Sequence, residues 1–312
     1  TFHYGAETIE IPIKELDGVE ALFAPRRTVL DAALVDAALK AGAEIVHGLS
    51  VVDLIRDGHG RVRGARIAGA DRQTIDVETD LVIGADGIRS KIARILGIGF
   101  DATSSHTTAS IYGYWQGLGL EGYHWYYDLG AAVGSIPTND GETCVFASVS
   151  PERFEARRGQ GLETLYREAL SEVSSDLARR VERSQGPGKL RAFAGHHGFF
   201  RQATGPGWAL AGDAGFFRDP ITAHGITDAL RESEFLARAI LEGDDAALVA
   251  YRAQRDERVA GFFDITDQIA SFEWDMEEVK DQHLVLAREM NALVDTTRTL
   301  DLESSVSVLV SS

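Results

Sequence analysis

Trp208-Ala209-Leu210-Ala211-Gly212-Asp213-Ala214-Gly215, followed by Asp219-Pro220-Ile221-Thr222-Ala223-His224-Gly225-Ile226, is the stretch on which the fold turns. Its apolar start predicts a buried strand, and an acidic residue stands just beyond it. Open α/β sheets bind ligands there, outside the carboxyl ends of their strands. The same grammar occurs earlier, where Leu81-Val82-Ile83 runs into Gly84-Ala85-Asp86-Gly87-Ile88-Arg89-Ser90 and Ile88 to Leu96 has helical periodicity. Glycines at such turns let backbone approach a ligand closely, and a carboxylate accepts hydrogen bonds from sugar-type hydroxyls. Asp213 suits a sugar-like chain. Gly225 and Ile226 open a helix through Leu241, whose free N–H groups and dipole favour an electron-rich oxygen.

Outward from these loops, Leu30, Leu34, Ala37, Ala38 and Ala41 predict an amphipathic helix over Arg27 to Lys40, with Gly42 as its C-terminal cap. Alternation over Thr8 to Ile13 predicts an opening strand. Glu44 to Val46 and Leu49 to Ile55 read as strands, Asp57-Gly58-His59-Gly60 as a hairpin turn and Arg61 to Ala68 as the returning strand. From His106 to Val149, aromatic and β-branched runs broken by Asn139-Asp140-Gly141 predict an antiparallel sheet. Pro151 to Arg183 is helix-forming and is ended by Gln185-Gly186-Pro187-Gly188. Further helices are expected over His224 to Leu241, Ala246 to Ser271 and about Asp275 to Ala292, before a polar Ser-rich tail.

The 312 residues suffice for one large or two intertwined domains, and 44% hydrophobic with 25% charged residues is an ordinary globular balance. With 31 Lys and Arg against 48 Asp and Glu, the formal net charge of -17 disfavours a phosphate backbone, so no nucleic-acid partner is expected. Cys144 is the single cysteine and cannot form an intramolecular disulfide, which points to a reducing, cytoplasmic setting. His196 and His197 are adjacent and would face opposite ways on a strand, so no metal site is expected. No apolar run approaches the roughly 18 residues of a membrane helix, and no membrane span is expected. There is no GxSxG or HExxH signature, which fits chemistry carried by a cofactor.

The two loops together resemble the FAD-dependent monooxygenases of the p-hydroxybenzoate hydroxylase type, whose later motifs read roughly ADGxxSxxR and GDAxxxxxPxxxxG. The resemblance spans most of the chain. It implies that Asp86, with Gly87 and Ser90, serves FAD and its nicotinamide donor, and that Asp213, with Gly212, holds the ribityl chain. The family spacing RxxLxxxLxxxAxxxG is matched by Arg27, Leu30, Leu34, Ala38 and Gly42, which makes Arg27 a further FAD residue. By the same analogy Val51 meets the adenine end, while Pro220, Gly225 and Ile226 border the flavin. Pro220 and His224 are the weaker catalytic candidates, the imidazole being available as proton donor or acceptor.

The implied fold is α/β with α+β elements: a Rossmann-like FAD-binding domain, an inserted antiparallel-sheet substrate domain and C-terminal helices. The expected division is residues 1–105 and 190–245 for the FAD-binding parts, 106–189 for the sheet domain and 246–312 for the helical region. The implied reaction uses NADPH or NADH and O2 to hydroxylate or epoxidise a small organic, often aromatic, substrate. Oligomeric state is left open. Two departures stand out. Ala93 occupies the place of the first motif's final Arg, with Arg94 one position later, and no GxGxxG with βαβ context opens the chain, as though it enters mid-domain. Gly117-Leu118-Gly119-Leu120-Glu121-Gly122 matches GxGxxG literally, but the strand-like Tyr123 to Tyr127 after it makes it a decoy.

Tyr112, Tyr114, Trp115, His124, Trp125, Tyr126 and Tyr127 form an aromatic-rich segment, alternate members of which should share a face and either roof a substrate or fill core. Tyr123-His124-Trp125-Tyr126-Tyr127 also loosely resembles the YxWxF segment of geranylgeranyl reductases, leaving a reductase of the same fold as the alternative. A halogenase is a further alternative, disfavoured because WxWxIP is absent. A non-catalytic subunit or paralogue is the remaining one.

Overall fold

The computed structural model describes residues 1–16 and 18–310, with side chains described up to residue 299. The chain divides into two compact units. The first comprises Thr1–Ile45, Thr107–His196 and Ile269–Asp281. Its frame is a seven-stranded sheet in the order Arg191–Phe193, Ala109–Gln116, Glu142–Val149, Ala131–Pro137, His124–Asp128, Phe2–Tyr4, Glu7–Ile9. The central pairs are antiparallel and Phe2–Tyr4 joins His124–Asp128 in parallel. Asp140 and Gly141, at φ 62° and 68°, turn the chain between two of these strands.

Period-two alternation decides which face is core. Ile111 and Trp115 point inward with Tyr126, Val133, Val145 and Ala147, and meet Phe154, Leu165, Tyr166, Leu170, Leu177 and Val181. Those partners lie on the helices Pro151–Arg157, Leu162–Val173 and Ser175–Arg183. Ser150 and Ser174 start two of them by accepting the Arg153 and Leu177 N–H groups. In the middle of this core, Trp115 Nε1–H donates to the Tyr166 hydroxyl at 3.1 Å, which donates to the Val145 carbonyl at 3.2 Å.

The helix Arg27–Lys40 has the bounds its spacing predicts. Gly42, at φ +93°, sits one place beyond the Ala41 cap, and Ala43 N–H reaches the Ala38 carbonyl in a left-handed helix ending. The helix buries no residue, however, and Leu34 on its apolar stripe is 45% exposed. Three local expectations are corrected. The opening strand stops at Ile9, because Pro12 has no N–H to give a ladder. Glu44 to Val46 make no ladder among the described residues. The last helix, Met276–Val310, runs well past Ala292.

The second unit comprises Val46–His106, His197–Gln268 and the chain from Gln282. A meander of Ser50–Arg56, Val62–Ala68 and Thr74–Glu78 forms one three-stranded sheet, its first turn closed by Asp57 and Arg61. In another, Val82–Gly84 and Trp208–Leu210 lie side by side in parallel, with Gly84 opposite Leu210. Ala211 N–H donates to the Gly84 carbonyl at 2.9 Å, so both motif loops leave neighbouring strand ends. The helices Gly225–Glu242 and Asp245–Ala270 cover this sheet through Leu236, Ala239, Leu248 and Tyr251, packed on Ala203, Ala209 and Ala211. Among the described residues no helix is long and apolar enough to cross a membrane.

Candidate functional site

Only glycine fits at the first strand end. A Cβ on Gly84 would lie 2.8 Å from Leu210 Cδ2 and 2.9 Å from Ile92 Cβ. The loop after it is shaped by Asp86, whose Oδ1 accepts the Ser90 hydroxyl at 2.6 Å and whose Oδ2 accepts Lys91 N–H at 2.6 Å and Ile92 N–H at 3.1 Å. Ser90 in turn accepts Ala93 N–H at 2.9 Å, starting the helix Lys91–Leu96. Asp86 and Ser90 therefore cap a helix, and Asp86 stays exposed while Ser90 is buried. Gly87 takes φ +79°, and a Cβ there would meet nothing within 4 Å.

Gly212, at φ +57°, begins the second loop, a short turn over Gly212–Ala214 in which Asp213 is half-buried. Asp219 Oδ1 accepts Ile221 N–H at 2.9 Å and organises the turn Pro220–Thr222. Ala223 then takes a left-handed φ of 55°, and His224 precedes the 18-residue helix Gly225–Glu242 without a side-chain cap. Gly225 and Ile226 are exposed, and a Cβ on Gly225 would meet nothing within 4 Å. The N-terminus of this helix is thus open, its free N–H groups and positive dipole end facing outward. The His224 ring is turned back, with Nδ1 on the Thr222 carbonyl and an edge against Phe262; burial lowers its proton affinity.

Beneath the loops lies a buried charged layer that the motifs do not reveal. Glu232 Oε2 accepts Gly212 N–H at 2.9 Å. Asp228 pairs with Arg218 and Arg231, and the Arg218 guanidinium lies 3.3 Å from the Phe262 ring centre. Arg201 Nη1 donates to the Ala214 carbonyl at 3.0 Å, and Arg201 N–H donates to the Gly215 carbonyl at 2.9 Å. Its side chain lies against Phe100 and Phe199, and its charge faces Asp86. Arg255 Nη2 donates to the Arg201 carbonyl at 3.0 Å. The only sequence signal for Arg218, Asp228, Arg231, Glu232 and Arg255 is charge on stretches that otherwise read as ordinary strand ends or amphipathic helix.

The second unit therefore holds Val51, Asp86, Gly87, Ser90, Gly212, Asp213, Pro220, His224, Gly225 and Ile226. Val51 is half-buried in its strand, and Pro220 is exposed. Arg27 belongs to the first unit, where it is 70% exposed and pairs with Asp31 one turn on at 2.7 Å. In that unit the sheet's aromatics alternate as expected: Tyr112 and Tyr114 face away from Ile111 and Trp115. Cys144 and Phe146 stand opposite them in register, Phe146 meets Trp125 at 5.2 Å, and Arg26 lies over the Tyr114 ring at 4.8 Å. Tyr126 is core instead. The glycines from Gly117 to Gly122 form a loop between strands, two of whose carbonyls accept from Arg180.

Residues 14–266 match the family described as FAD binding domain. The chain belongs to that family. It is 30% identical over 258 residues to a digeranylgeranylglycerophospholipid reductase of Methanothrix thermoacetophila, covering 79% of this chain and 63% of the relative. It is 22% identical to a tryptophan 2-halogenase of Chondromyces crocatus, over 84% of this chain and 54% of that protein. The chain thus spans between 54% and 63% of the length of these curated relatives. Among solved structures, a myxobacterial chondrochloren halogenase superposes with a TM-score of 0.71 at 20% identity, covering 84% of this chain and 64% of the other. A probable FAD-dependent monooxygenase from Pseudomonas aeruginosa gives 0.61 at 20%, covering 85% and 72%. These structures establish a shared mixed α/β fold.

The residues of the FAD-binding-domain chain fit such a cofactor. The uncapped helix end at Gly225 has room for an anionic or electron-rich group, and Asp213 stands beyond its strand where a polyol chain can be held.

Proposed function

We propose that the protein is an FAD-dependent monooxygenase that uses NADPH or NADH and O2 to hydroxylate or epoxidise a small organic substrate. In balance, the nicotinamide gives two electrons, one oxygen atom enters the substrate and the other leaves as water. The observation that carries the proposal is the pairing of Val82–Gly84 with Trp208–Leu210, which sets the Asp86 and Asp213 loops at adjacent strand ends. Bound FAD would supply the two-electron redox chemistry that no side chain here provides.

Asp213 would accept ribityl hydroxyls, with Gly212 allowing the close approach. The Gly225 and Ile226 N–H groups would face the pyrimidine oxygen, where negative charge gathers on reduction. Asp86, Gly87, Ser90, Val51 and Pro220 complete the cofactor set of the second unit, Asp86 and Ser90 acting through the loop they cap, and Arg27 is kept as an FAD residue on its helix spacing alone. His224, kept neutral by burial, would be the proton-transfer candidate. The half-buried Tyr112, Tyr114, Trp125 and Phe146 offer a flat apolar surface for the substrate.

A second reading, reduction of a carbon–carbon double bond, is favoured by the relationship to the archaeal reductase. The deciding experiment is an anaerobic titration of the flavin-loaded full-length protein with NADPH and NADH, followed by air and by mass analysis of the product. Bleaching by nicotinamide, recovery in air and a product heavier by one oxygen support the monooxygenase. A product heavier by two hydrogens selects the reductase. Asp213→Ala is expected to lose FAD occupancy, and a normal flavin content in that variant removes Asp213 from the site.

A further inference from the structure

Glu232 is among the largest side chains of the protein that are fully buried, yet it is a carboxylate. It sits two turns into the helix Gly225–Glu242 and points back at the loop that carries Asp213. One oxygen accepts Gly212 N–H at 2.9 Å, while Oε1 is buried without a hydrogen-bond partner. Gly212 is the first residue of the turn and has a left-handed φ of 57°, so the direction of its N–H fixes where the turn starts. A Cβ there would lie 3.3 Å from Ala229 Cβ, on the same helix as Glu232. The turn is therefore seated on this helix through one glycine and one carboxylate.

We propose that Glu232 is a positioning residue: by holding the Gly212 N–H it sets the turn that carries Asp213, and its ionisation makes flavin affinity depend on pH. The proposal rests on the assignment of Asp213 to the FAD site. An ionised carboxylate holds an N–H more strongly than a neutral one. Proton uptake by Glu232 would therefore loosen the turn.

The charges facing Glu232 make its ionisation responsive near neutrality. Burial raises its pKa, opposed by Arg255, by the Gly212 N–H and by Arg231, and assisted by Asp228, to about 7. Arg255 and the Tyr251 hydroxyl come from the helix Asp245–Ala270, the latter kept neutral by burial. Asp228 and Arg231 share the Glu232 helix, and Arg218, on the segment after the turn, feels the same carboxylate. Asp256 holds Arg255 at 2.6 Å, which tempers that cation's pull on Glu232.

The test measures FAD dissociation constants for the full-length apoprotein by flavin fluorescence between about pH 6 and pH 8.5. Wild type is expected to bind about fivefold more tightly at the alkaline end, a difference of about 1 kcal/mol at 1.4 kcal/mol per tenfold. Glu232→Gln keeps an acceptor for Gly212 but cannot ionise. It should give a flat profile at the weaker, acid-limb affinity. A flat wild-type profile, tighter binding at low pH, or a pH-dependence that survives in Glu232→Gln overturns the proposal. If Asp213→Ala still weakens FAD in that case, the cofactor site stands and only the Glu232 role falls. FAD binding indifferent to Asp213→Ala overturns both.

Discussion

Asp228 is shared by two arginines: Arg218 Nη2 stands 2.5 Å from one carboxylate oxygen and Arg231 Nη2 2.6 Å from the other. The three side chains are 6%, 3% and 7% exposed in that order, so the trio is desolvated as a unit. Burial pushes the Arg218 guanidinium down to about 10, and it stays cationic at neutral pH.

Removing the shared partner leaves two buried cations unmatched. Asp228→Ala is expected to lower unfolding free energy by roughly 3–5 kcal/mol, the usual cost of breaking a buried pair on one side. Urea denaturation monitored by tryptophan fluorescence measures it. A loss below about 1 kcal/mol would show that the arginines find other partners or water.

Gly84 offers a test of packing rather than charge. A side chain there must displace Leu210 or Ile92, so Gly84→Val should cost roughly 1–3 kcal/mol and spread the two motif strands. Thermal unfolding reads the cost, and amide exchange at Ala211, whose N–H bonds Gly84, reads the spreading.

Glu232 predicts a slope in stability. Its folded pKa, about 7, is above the ordinary 4.5, so the folded chain holds this proton more tightly than the unfolded one. The contribution is full below about pH 4.5 and is lost as pH rises to about 7, roughly 3 kcal/mol in all. Glu232→Gln should be the more stable protein at pH 8 and lack that slope. Apoprotein melting temperatures across this window decide it.

Asp86 and Ser90 carry a capping role that can be separated from a cofactor role. Ser90→Ala removes the acceptor for Ala93 N–H and should cost about 1 kcal/mol. Asp86→Asn leaves one acceptor oxygen for the helix start but removes the charge. If it weakens FAD binding more than Ser90→Ala while costing less stability, the carboxylate faces the cofactor as well as the helix.

Local periodicity made much of the fold legible. The helix Arg27–Lys40, the turn at Asp57–Gly60 and the strands before Gly84 and Gly212 all follow from spacing and turn residues. Misses occurred where structure depends on partners distant in sequence. Glu44 to Val46 have strand composition but pair with nothing among the described residues, and the apolar stripe around Leu34 is uncovered. At the site, glycines and acids after apolar strands pointed to the loops. The supporting Arg201, Glu232 and Arg255 stayed hidden, because a charge on a helix pattern looks like a solvated face until folding shows which way it turns. Asp86 also accepts the N–H groups that start its own helix, a capping role its motif does not encode.

The backbone bond from Ala211 to Gly84 also fixes an order of events. The strands it joins are separated in sequence by five of the seven strands of the first unit's sheet, from Ala109 to Phe193, so their pairing closes a long loop, whose entropy must be met before the contact repays it. During synthesis the Asp86 loop emerges early but has no neighbouring strand end. The two loops can come into register only once Leu210 has left the ribosome, so the pairing of the motif loops is expected late in folding rather than in its nucleus.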